Sequence, residues 1–277
     1  MTIALVTDST ADIPDNLVEK FQIHVVPNVL VIDGKSVLDG KEISREEYYN
    51  RLPQMNTLPT TATASSGMYQ ELYDRLLGQG AKNIISIHAS SLLSGIFGAA
   101  SAAAQAFDSQ VHVIDSGMVT LGLGYQVLSA AQAALQGASL ETIVPLVESV
   151  RHRARVVAML DTLDYVRRSG RVSWARARIG SLLNLKPFVE VRSGQVLSLG
   201  ETRTRSKGIE RLRQLLINLG PLERLAILHT NAEADARQFL ASLEMEFSEA
   251  PLVVNITTVI GTHTGPRGLG FAAVLHS

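Results

Sequence analysis

The sequence predicts an α/β fold with two domains, an N-terminal domain over residues 1–152 and a C-terminal domain over residues 153–277. The first half alternates short apolar runs with longer segments of helical periodicity, which is typical of a mostly parallel sheet flanked by helices. The second half mixes hairpin signals with helices and therefore predicts an α+β arrangement. A chain of 277 residues is long enough for two such domains.

The composition indicates a folded protein with a large core. Hydrophobic residues make up 46% of the chain and charged residues 18%, a balance that argues against disorder. A formal net charge of -1 argues against the broad basic surface of a nucleic-acid-binding protein, so no nucleic-acid partner is expected. Zero cysteines exclude disulfides, thiolate metal sites and a cysteine nucleophile. Because the N-terminus also lacks the features of a secretory signal, we expect a cytoplasmic protein.

Two long stretches, residues 83–107 and 116–140, carry no charged residue. Their lengths match a membrane span. Both are rich in Ala, Ser, Gly and Gln, however, and each begins as a strand followed by a turn. We therefore expect buried helices and no stable membrane insertion.

Local patterns predict the elements of the first domain in order. An apolar run at residues 3–7 predicts the first strand, and Asp12 with Pro14 predicts the start of a helix. Compact strands are predicted at residues 83–88 and 111–115, each followed by a polar turn and a helix of small residues. The carboxyl ends of parallel strands meet at one edge, where such folds bind ligands. The turns expected to share this edge are residues 8–12, 89–95 and 115–120.

A hairpin-containing segment is predicted near residues 23–43. Residues 23–32 read as one strand, and Asp33-Gly34 is a strong turn signal leading to a short return strand. Ser44 with Glu47 three residues later forms a capping box for the next helix. A loop rich in hydroxyl groups follows at residues 56–66, before helical periodicity resumes.

The second domain is predicted from the same kinds of signal. Arg192-Ser193-Gly194 separates two apolar runs and predicts a hairpin. Residues 261–270 contain many glycines and a proline, which predicts a tightly constrained loop. Strands are predicted at residues 155–160, 188–191, 196–199, 225–230, 253–260 and 271–275, and helices at residues 163–168, from Ser206 and from Ala232.

Several common functional motifs are missing. The chain has no P-loop, no Gly-x-Ser-x-Gly elbow and no His-Glu-x-x-His. Gly122-Leu123-Gly124 lacks the third glycine of a dinucleotide fingerprint, and close helix packing explains these small residues better. The seven histidines are scattered without metal-ligand spacing, so no metal site is expected.

Four segments contain polar or charged side chains in patterns that suggest a function. The threonines and serines of residues 59–66 fit either a surface loop with a helix cap or a binding loop. The serines of residues 90–95 follow a strand and either cap the next helix or direct a hydroxyl at an anion. His263, in the glycine-rich segment, is more typical of a site residue than of a core histidine. The arginines of residues 167–178 fit a solvated face or docking onto an acidic partner or phosphate.

The same segments, taken in order, carry a resemblance that covers nearly the whole chain. Each motif alone is weak, but their order is highly specific. The motifs are Val6-Thr7-Asp8-Ser9-Thr10-Ala11-Asp12, the Thr61 loop, Ser90-Ser91-Leu92-Leu93-Ser94-Gly95, Val113-Ile114-Asp115-Ser116, Ser169-Gly170-Arg171-Val172-Ser173, Leu183-Asn184-Leu185-Lys186-Pro187 and Gly261-Thr262-His263-Thr264-Gly265-Pro266. Together they resemble the DegV family of bacterial fatty-acid-binding proteins.

The resemblance implies a two-domain DegV-like fold that holds one long-chain fatty acid and has no enzymatic activity or cofactor of its own. It implies that Arg171, with Arg203, docks a partner or lies next to the site. The partner would be a separate fatty acid kinase, similar to dihydroxyacetone kinases, that phosphorylates the bound carboxylate for phospholipid synthesis. The residues implied to bind the carboxylate are Thr61, Thr63, Ser94, Gly95 and His263.

The chain departs from the family pattern at two places. The family usually has Thr-Ser-Gln-Pro-Ser where this chain has Thr61-Ala62-Thr63-Ala64-Ser65. Ala62 removes one potential hydrogen-bond donor, which Thr63 can replace. The closing loop usually has glycine where Arg267 stands, a change that bears on the shape of the loop.

Two other functions compete with a carrier. Ser94 and His263, with an acid such as Asp115, would make the triad of a serine hydrolase that acts on a lipid ester. The turns at the strand ends would also suit a nucleotide or sugar-phosphate. A carrier needs no elbow and no metal, because hydroxyl and imidazole groups satisfy a buried carboxylate while the tail supplies most of the affinity.

Overall fold

The first half of the chain alternates strands and helices as predicted. The computed structural model describes residues 2–172, 185–247 and 249–276. In chain order, the first elements are β1 (Ile3–Asp8), α1 (Asp15–Lys20), β2 (Ile23–Val26), β3 (Val29–Ile32), β4 (Lys35–Leu38), α2 (Arg45–Arg51), β5 (Thr60–Ala62), α3 (Ser66–Gly78), β6 (Asn83–His88), α4 (Ile96–Ala104), β7 (Val111–Asp115), α5 (Thr120–Leu135) and α6 (Leu140–Arg153).

A parallel sheet of four strands, in the order β2-β1-β6-β7, organises this half. Every residue of β1 is buried, as expected for a strand covered by helices on both faces. The turns at residues 8–12, 89–95 and 115–120 follow the neighbouring strands β1, β6 and β7. They therefore share one edge of the sheet, which confirms the prediction.

The prediction of one strand over residues 23–32 was wrong. The segment forms β2 in the parallel sheet and then β3, which belongs to a separate sheet with the order β4-β3-β5. The predicted turn is confirmed, since Asp33 and Gly34 have φ values of 50° and 77°, as in the tight turn of a hairpin. Strand β5 lies in the predicted loop of residues 56–66, where three residues are too few to show a periodicity.

The start of α1 differs from the prediction. Asp12 does not cap this helix, because its backbone is left-handed at φ 55°. Its carboxylate instead accepts a hydrogen bond from Thr257 N at 2.7 Å and pairs with Arg45 Nη1 at 3.0 Å. Asp12 thus fastens the turn after β1 to two distant segments.

The second half folds around a mixed sheet. Its elements are β8 (Ala154–Met159), α7 (Asp164–Ser169), β9 (Lys186–Arg192), β10 (Gln195–Thr202), α8 (Arg205–Ile217), β11 (Leu222–His229), α9 (Glu233–Ala241), β12 (Leu252–Asn255), α10 (Thr258–Thr264) and β13 (Leu269–Leu275). Six strands pair in the order β10-β9-β8-β13-β11-β12. Their pairing is antiparallel except between β11 and β12. The α+β prediction and the hairpin of β9 and β10 are confirmed.

The predicted strand over residues 253–260 was wrong at its end. Strand β12 stops at Asn255, and Thr257 Oγ1 accepts a hydrogen bond from Val259 N at 3.4 Å at the start of α10. The loop predicted over residues 261–270 therefore begins inside a helix, and His263 lies in the last turn of α10. Tertiary packing overrides the strand propensity of the β-branched residues here.

The apolar core is continuous between the halves. The largest cluster of buried side chains joins Val6 of β1 and Ile85 of β6 to Val156 of β8 and Leu228 of β11. The division at residues 152 and 153 stays a prediction, although α6 ends at Arg153. Within the described ranges, no helix is long and apolar enough to cross a membrane.

Candidate ligand site

A cavity with a mostly apolar lining lies between the carboxyl edge of the parallel sheet, the mixed sheet and α10. Because α/β folds bind ligands beyond the carboxyl ends of their strands, this is the expected position. The apolar side chains that line it include Val156, Val189, Val191, Leu228, Ile256 and Leu269. Four polar or charged side chains predicted from the sequence also line it, namely Thr61, Ser94, Arg171 and His263.

A second cavity adjoins the first at these polar groups. Thr61, Ser94 and Arg171 line both cavities. The second cavity adds Thr63 and Gly95. All five residues that the resemblance assigned to a carboxylate therefore line one or both of two cavities that share part of their walls.

Thr61 and His263 make direct contact. Thr61 is held in β5 by its pairing with Leu30 of β3, and His263 lies in α10. Thr61 Oγ1 and His263 Nε2 are 3.0 Å apart. Burial, and then the positive charge of Arg171, lowers the pKa of His263 to about 4. The imidazole is therefore neutral near pH 7, so Nε2–H can donate to Thr61 and leave the hydroxyl proton for a ligand.

Ser94 combines the two roles considered for it. Its Oγ accepts a hydrogen bond from Ile96 N at 3.3 Å, at the start of α4. As the acceptor in that bond, the hydroxyl keeps its own proton for an anion in the cavity. A Cβ added at Gly95 would lie 3.6 Å from Thr63 Cγ2, so Thr63 sits against the beginning of this helix.

The two arginines proposed for docking differ in position. Arg171 follows α7, donates from Nη1 to Ser169 O at 2.8 Å, and is exposed while lining both cavities. Its charge therefore belongs to the ligand site as well as to the surface. Arg203 is exposed between β10 and α8 and lines neither cavity. The structure does not bring Arg203 to the site, and Arg176 and Arg178 lie outside the described residues.

A buried hydrogen-bond network supports the turn beside the cavity. Asp8 Oδ2 lies 3.0 Å from His88 Nδ1, and Asp8 Oδ1 accepts from Thr10 Oγ1 at 2.5 Å and from Asn28 Nδ2 at 3.2 Å. Burial by itself would raise the pKa of Asp8, but the hydrogen bond and charge of His88, with the bonds from Thr10, lower it overall. The network fixes Thr10, which lines the cavity.

Comparison with known proteins identifies the family. The family model described as "Uncharacterised protein, DegV family" matches residues 2–276. The chain belongs to the DegV family. It is 35% identical to Protein DegV of Bacillus subtilis over 276 residues, 98% of each chain.

Solved DegV structures share the whole fold. A DegV family protein from Thermus thermophilus, described by its fatty acid binding, superposes with a TM-score of 0.90 at 33% identity, covering 100% of both chains. DegV from Bacillus subtilis, described as a fatty acid binding protein, gives a TM-score of 0.86 at 34% identity, again over 100% of both chains. The DegV-like fold is therefore established for this chain.

The serine hydrolase triad is not assembled in this DegV protein. Asp115 accepts hydrogen bonds from Ser91 Oγ at 2.5 Å and from Gly117 N at 2.8 Å, and it lines neither cavity. His263 contacts Thr61, and no hydrogen bond between the described residues joins it to Ser94. In the same ranges, no three His, Asp or Glu side chains are grouped to hold a metal ion.

Arg267, the second departure from the DegV pattern, keeps the geometry expected of a glycine. Its φ is 62°, in the left-handed region that favours glycine. Its backbone N donates to Thr230 O at 2.6 Å. Arg267 therefore has a backbone conformation that glycine favours, and its exposed side chain adds a positive charge.

Sequence reasoning missed other cavity residues. His229 and Thr230 at the end of β11, and Thr120 at the start of α5, also line the cavity. Thr120 lies in a turn that was predicted at the ligand edge, so its position was an available signal. His229 gave no such signal, because it lies at the end of an apolar run that is typical of a core strand.

Proposed function

We propose that this DegV protein binds one long-chain fatty acid, with the acyl tail in the apolar cavity and the carboxylate beside Thr61, Ser94 and His263. One observation carries the proposal. The lining of the cavity is mostly apolar, but it also includes Arg171 and the uncharged hydrogen-bonding groups of Thr61, Ser94 and His263. The DegV structures from Thermus thermophilus and Bacillus subtilis, both described as fatty acid binding, support it.

The acyl tail would supply most of the affinity. Burial of each CH₂ contributes about 0.8 kcal/mol, so a long chain contributes on the order of 10 kcal/mol before the costs of association. The valines and leucines of the cavity can make these contacts. They offer no partners to a sugar-phosphate, so an acyl chain fits the lining better.

The polar groups would fix the orientation of the acid. A desolvated carboxylate needs hydrogen-bond donors. The hydroxyls of Thr61 and Ser94 can donate, while neutral His263 orients Thr61. Arg171 supplies the compensating charge, and Thr63 with Gly95 borders the space next to the carboxylate.

Lipid analysis tests the proposal. We expect native mass spectrometry of the purified protein, followed by denaturation and lipid identification, to find one fatty acid per chain. Ser94→Ala should retain less acid, whereas Ser91→Ala in the same turn is the matched control because Ser91 bonds to Asp115. An empty protein that also fails to take up C16–C18 acids would contradict the proposal.

The protein would act as a non-enzymatic carrier that presents the carboxylate to a cytoplasmic fatty acid kinase, for acyl-phosphate formation in bacterial phospholipid synthesis. Arg171 supports this finer proposal because it is exposed and also lines the site.

A kinase assay tests the presenting role. With a dihydroxyacetone-kinase-like subunit, ATP and bound palmitate, we expect acyl phosphate to form. Arg171→Glu should slow its formation and also weaken lipid binding, and Arg237→Glu, at an exposed position that lines neither cavity, is the control for surface charge. The same acyl-phosphate yield when the carrier is omitted would exclude a presenting role.

A further inference from the structure

A second histidine, His229, lines the cavity besides His263. It is the last residue of β11, is 4% exposed, and belongs to the cavity lining. His229 Nδ1 accepts a hydrogen bond from Ala232 N at 3.2 Å, so Nδ1 carries no proton. Burial lowers the pKa of His229 to about 4, which keeps the ring neutral near pH 7 with its proton on Nε2. Among the described residues, no hydrogen bond uses this Nε2–H.

His229 lies in different electrostatic surroundings from the carboxylate end. The charges that act on it are those of Glu233, Arg237 and Arg45, whereas Arg171 acts on His263. His229 lines the first cavity, which holds the apolar side chains proposed to contact the acyl tail. A bound acyl chain in this cavity would therefore have His229 on one of its walls.

Helix capping alone does not explain a histidine at this position. The bond from Ala232 N requires only an acceptor, which Asn, Asp or Ser commonly provides at the start of a helix. Histidine adds a donor on the wall of a cavity lined mainly by apolar side chains. An unsubstituted hydrocarbon chain cannot accept from that donor, so burying it against such a chain leaves the group unsatisfied.

Threonine side chains add polar character to the same cavity. Thr230 Oγ1 accepts from Gly268 N at 2.6 Å, so its own hydroxyl proton remains for another acceptor. Thr120 begins α5 with φ 49°, a region that β-branched residues rarely adopt. Both residues line the cavity with His229.

We infer that His229 forms a chain-specificity site that donates a hydrogen bond to an oxygen substituent, such as a hydroxyl or keto group, on the acyl chain of the ligand. The inference rests on the proposed fatty-acid function and names the class of acid that the cavity accepts best. It assigns the discrimination between oxygenated and unsubstituted chains to Nε2–H of His229.

A positional series of ligands tests this inference. The affinities of stearate and of hydroxystearates with the hydroxyl at successive carbons are measured by calorimetry on the full chain. We expect one position to bind about 3- to 10-fold more tightly than stearate, as one net hydrogen bond allows. His229→Asn should abolish this gain, because Asn can still accept from Ala232 N but is too short to place a donor where Nε2 lies.

The controls separate this inference from the proposed function. His229→Phe removes the same donor with a ring of similar size, and thermal unfolding checks that each variant is folded. His24→Asn, on β2 and outside the cavity lining, should keep the gain. Three results would overturn the inference: no hydroxyl position is preferred, the preference persists in both His229 variants, or oleate gains as much affinity as the preferred hydroxystearate. If stearate still binds in these cases, the proposed function stands. Failure to bind any of the acids would overturn both.

Discussion

Thr61 Oγ1 and His263 Nε2 lie 3.0 Å apart although their residues are separated by 202 positions in the chain. Thr61 comes from the small sheet of the first half, and His263 comes from the helix that follows β12 in the second half. The proposed carboxylate site is therefore built by both halves together. A ligand held there would stabilise the packing of one half on the other, since it binds only when both contribute.

Thr61→Val should weaken the binding of palmitate by about 3- to 10-fold, because it removes one hydrogen-bond donor while preserving the shape of the side chain. The half-buried position predicts little change in the free energy of unfolding. Fluorescent-acid displacement with the folded variant measures the effect. Thr60→Val, at the exposed neighbouring position of β5, is the control, and an equal loss in both variants would argue against a specific role for Thr61.

Arg171→Gln should raise the pKa of His263 above its value of about 4, because one of the causes of the low pKa is the positive charge of Arg171. Burial, the larger cause, remains and should keep the pKa below 6.5. NMR titration of the imidazole resonances measures the shift. Arg203→Gln should leave the titration unchanged, since Arg203 lines neither cavity. An unchanged pKa of His263 in Arg171→Gln would show that the charge of Arg171 does not act on this imidazole.

The parts of the fold that the sequence predicted well are those with long, regular patterns. The apolar runs that became β1, β6 and β7 ended in polar turns, and parallel pairing then placed those turns on one edge. The pairing of Thr61 with His263 could not be predicted from periodicity. Strand β5 has only three residues, and the resemblance to DegV proteins supplied both positions.

Helix α10 shows why local secondary-structure propensity led to a wrong prediction near the site. Its β-branched residues favour a strand, but contacts with α2 stabilise the helix. Tyr48 Oη and Thr262 Oγ1 are 2.5 Å apart, and Tyr49 Oη donates to Ile256 O at 3.0 Å. These contacts join segments more than 200 residues apart, which no local window of sequence can represent.

Asp12 should make stability depend on pH. Burial raises the pKa of its carboxyl group from 3.8 to about 7, although the charge of Arg45, the nearby hydroxyl of Thr120 and the hydrogen bond from Thr257 N act in the opposite direction. Between these values the unfolded chain has lost a proton that the folded chain keeps, so the free energy of unfolding falls as the pH rises from about 4 to about 7. The stabilising contribution is complete below this window and lost above it.

Asp12→Asn should remove this dependence. The free energy of unfolding of the wild type, relative to that of the variant, should fall by up to about 1.4 kcal/mol per pH unit within the window. Urea unfolding at a series of pH values from 4 to 8 measures the difference. Asp15→Asn, at an exposed position near the same turn, is the control, and parallel profiles for wild type and Asp12→Asn would show that Asp12 does not titrate in this window.

Gly124 should be essential for packing α5 against the turn after β1. A Cβ added at Gly124 would lie 2.5 Å from Ala11 O and 2.6 Å from Leu121 Cδ2, so Gly124→Ala should destabilise the fold by about 1–3 kcal/mol through overpacking. Gly98, in α4, has no atom within 4 Å of the corresponding Cβ position. Gly98→Ala should therefore stabilise the fold by about 0.5–1 kcal/mol, through helix propensity alone.

The denaturant midpoints of Gly124→Ala and Gly98→Ala show whether close packing or helix propensity determines the change in stability at each position. Opposite shifts would confirm that the small residues of Gly122-Leu123-Gly124 serve close approach, since Gly122 likewise leaves only 2.7 Å between an added Cβ and Val156 Cγ2. Because Ala11 directly precedes Asp12, the displacement in Gly124→Ala should also disturb the Asp12 carboxylate and its bond to Thr257 N. Equal stabilisation by both alanines would mean that the backbone around Ala11 yields easily, and that α5 does not hold the turn in place.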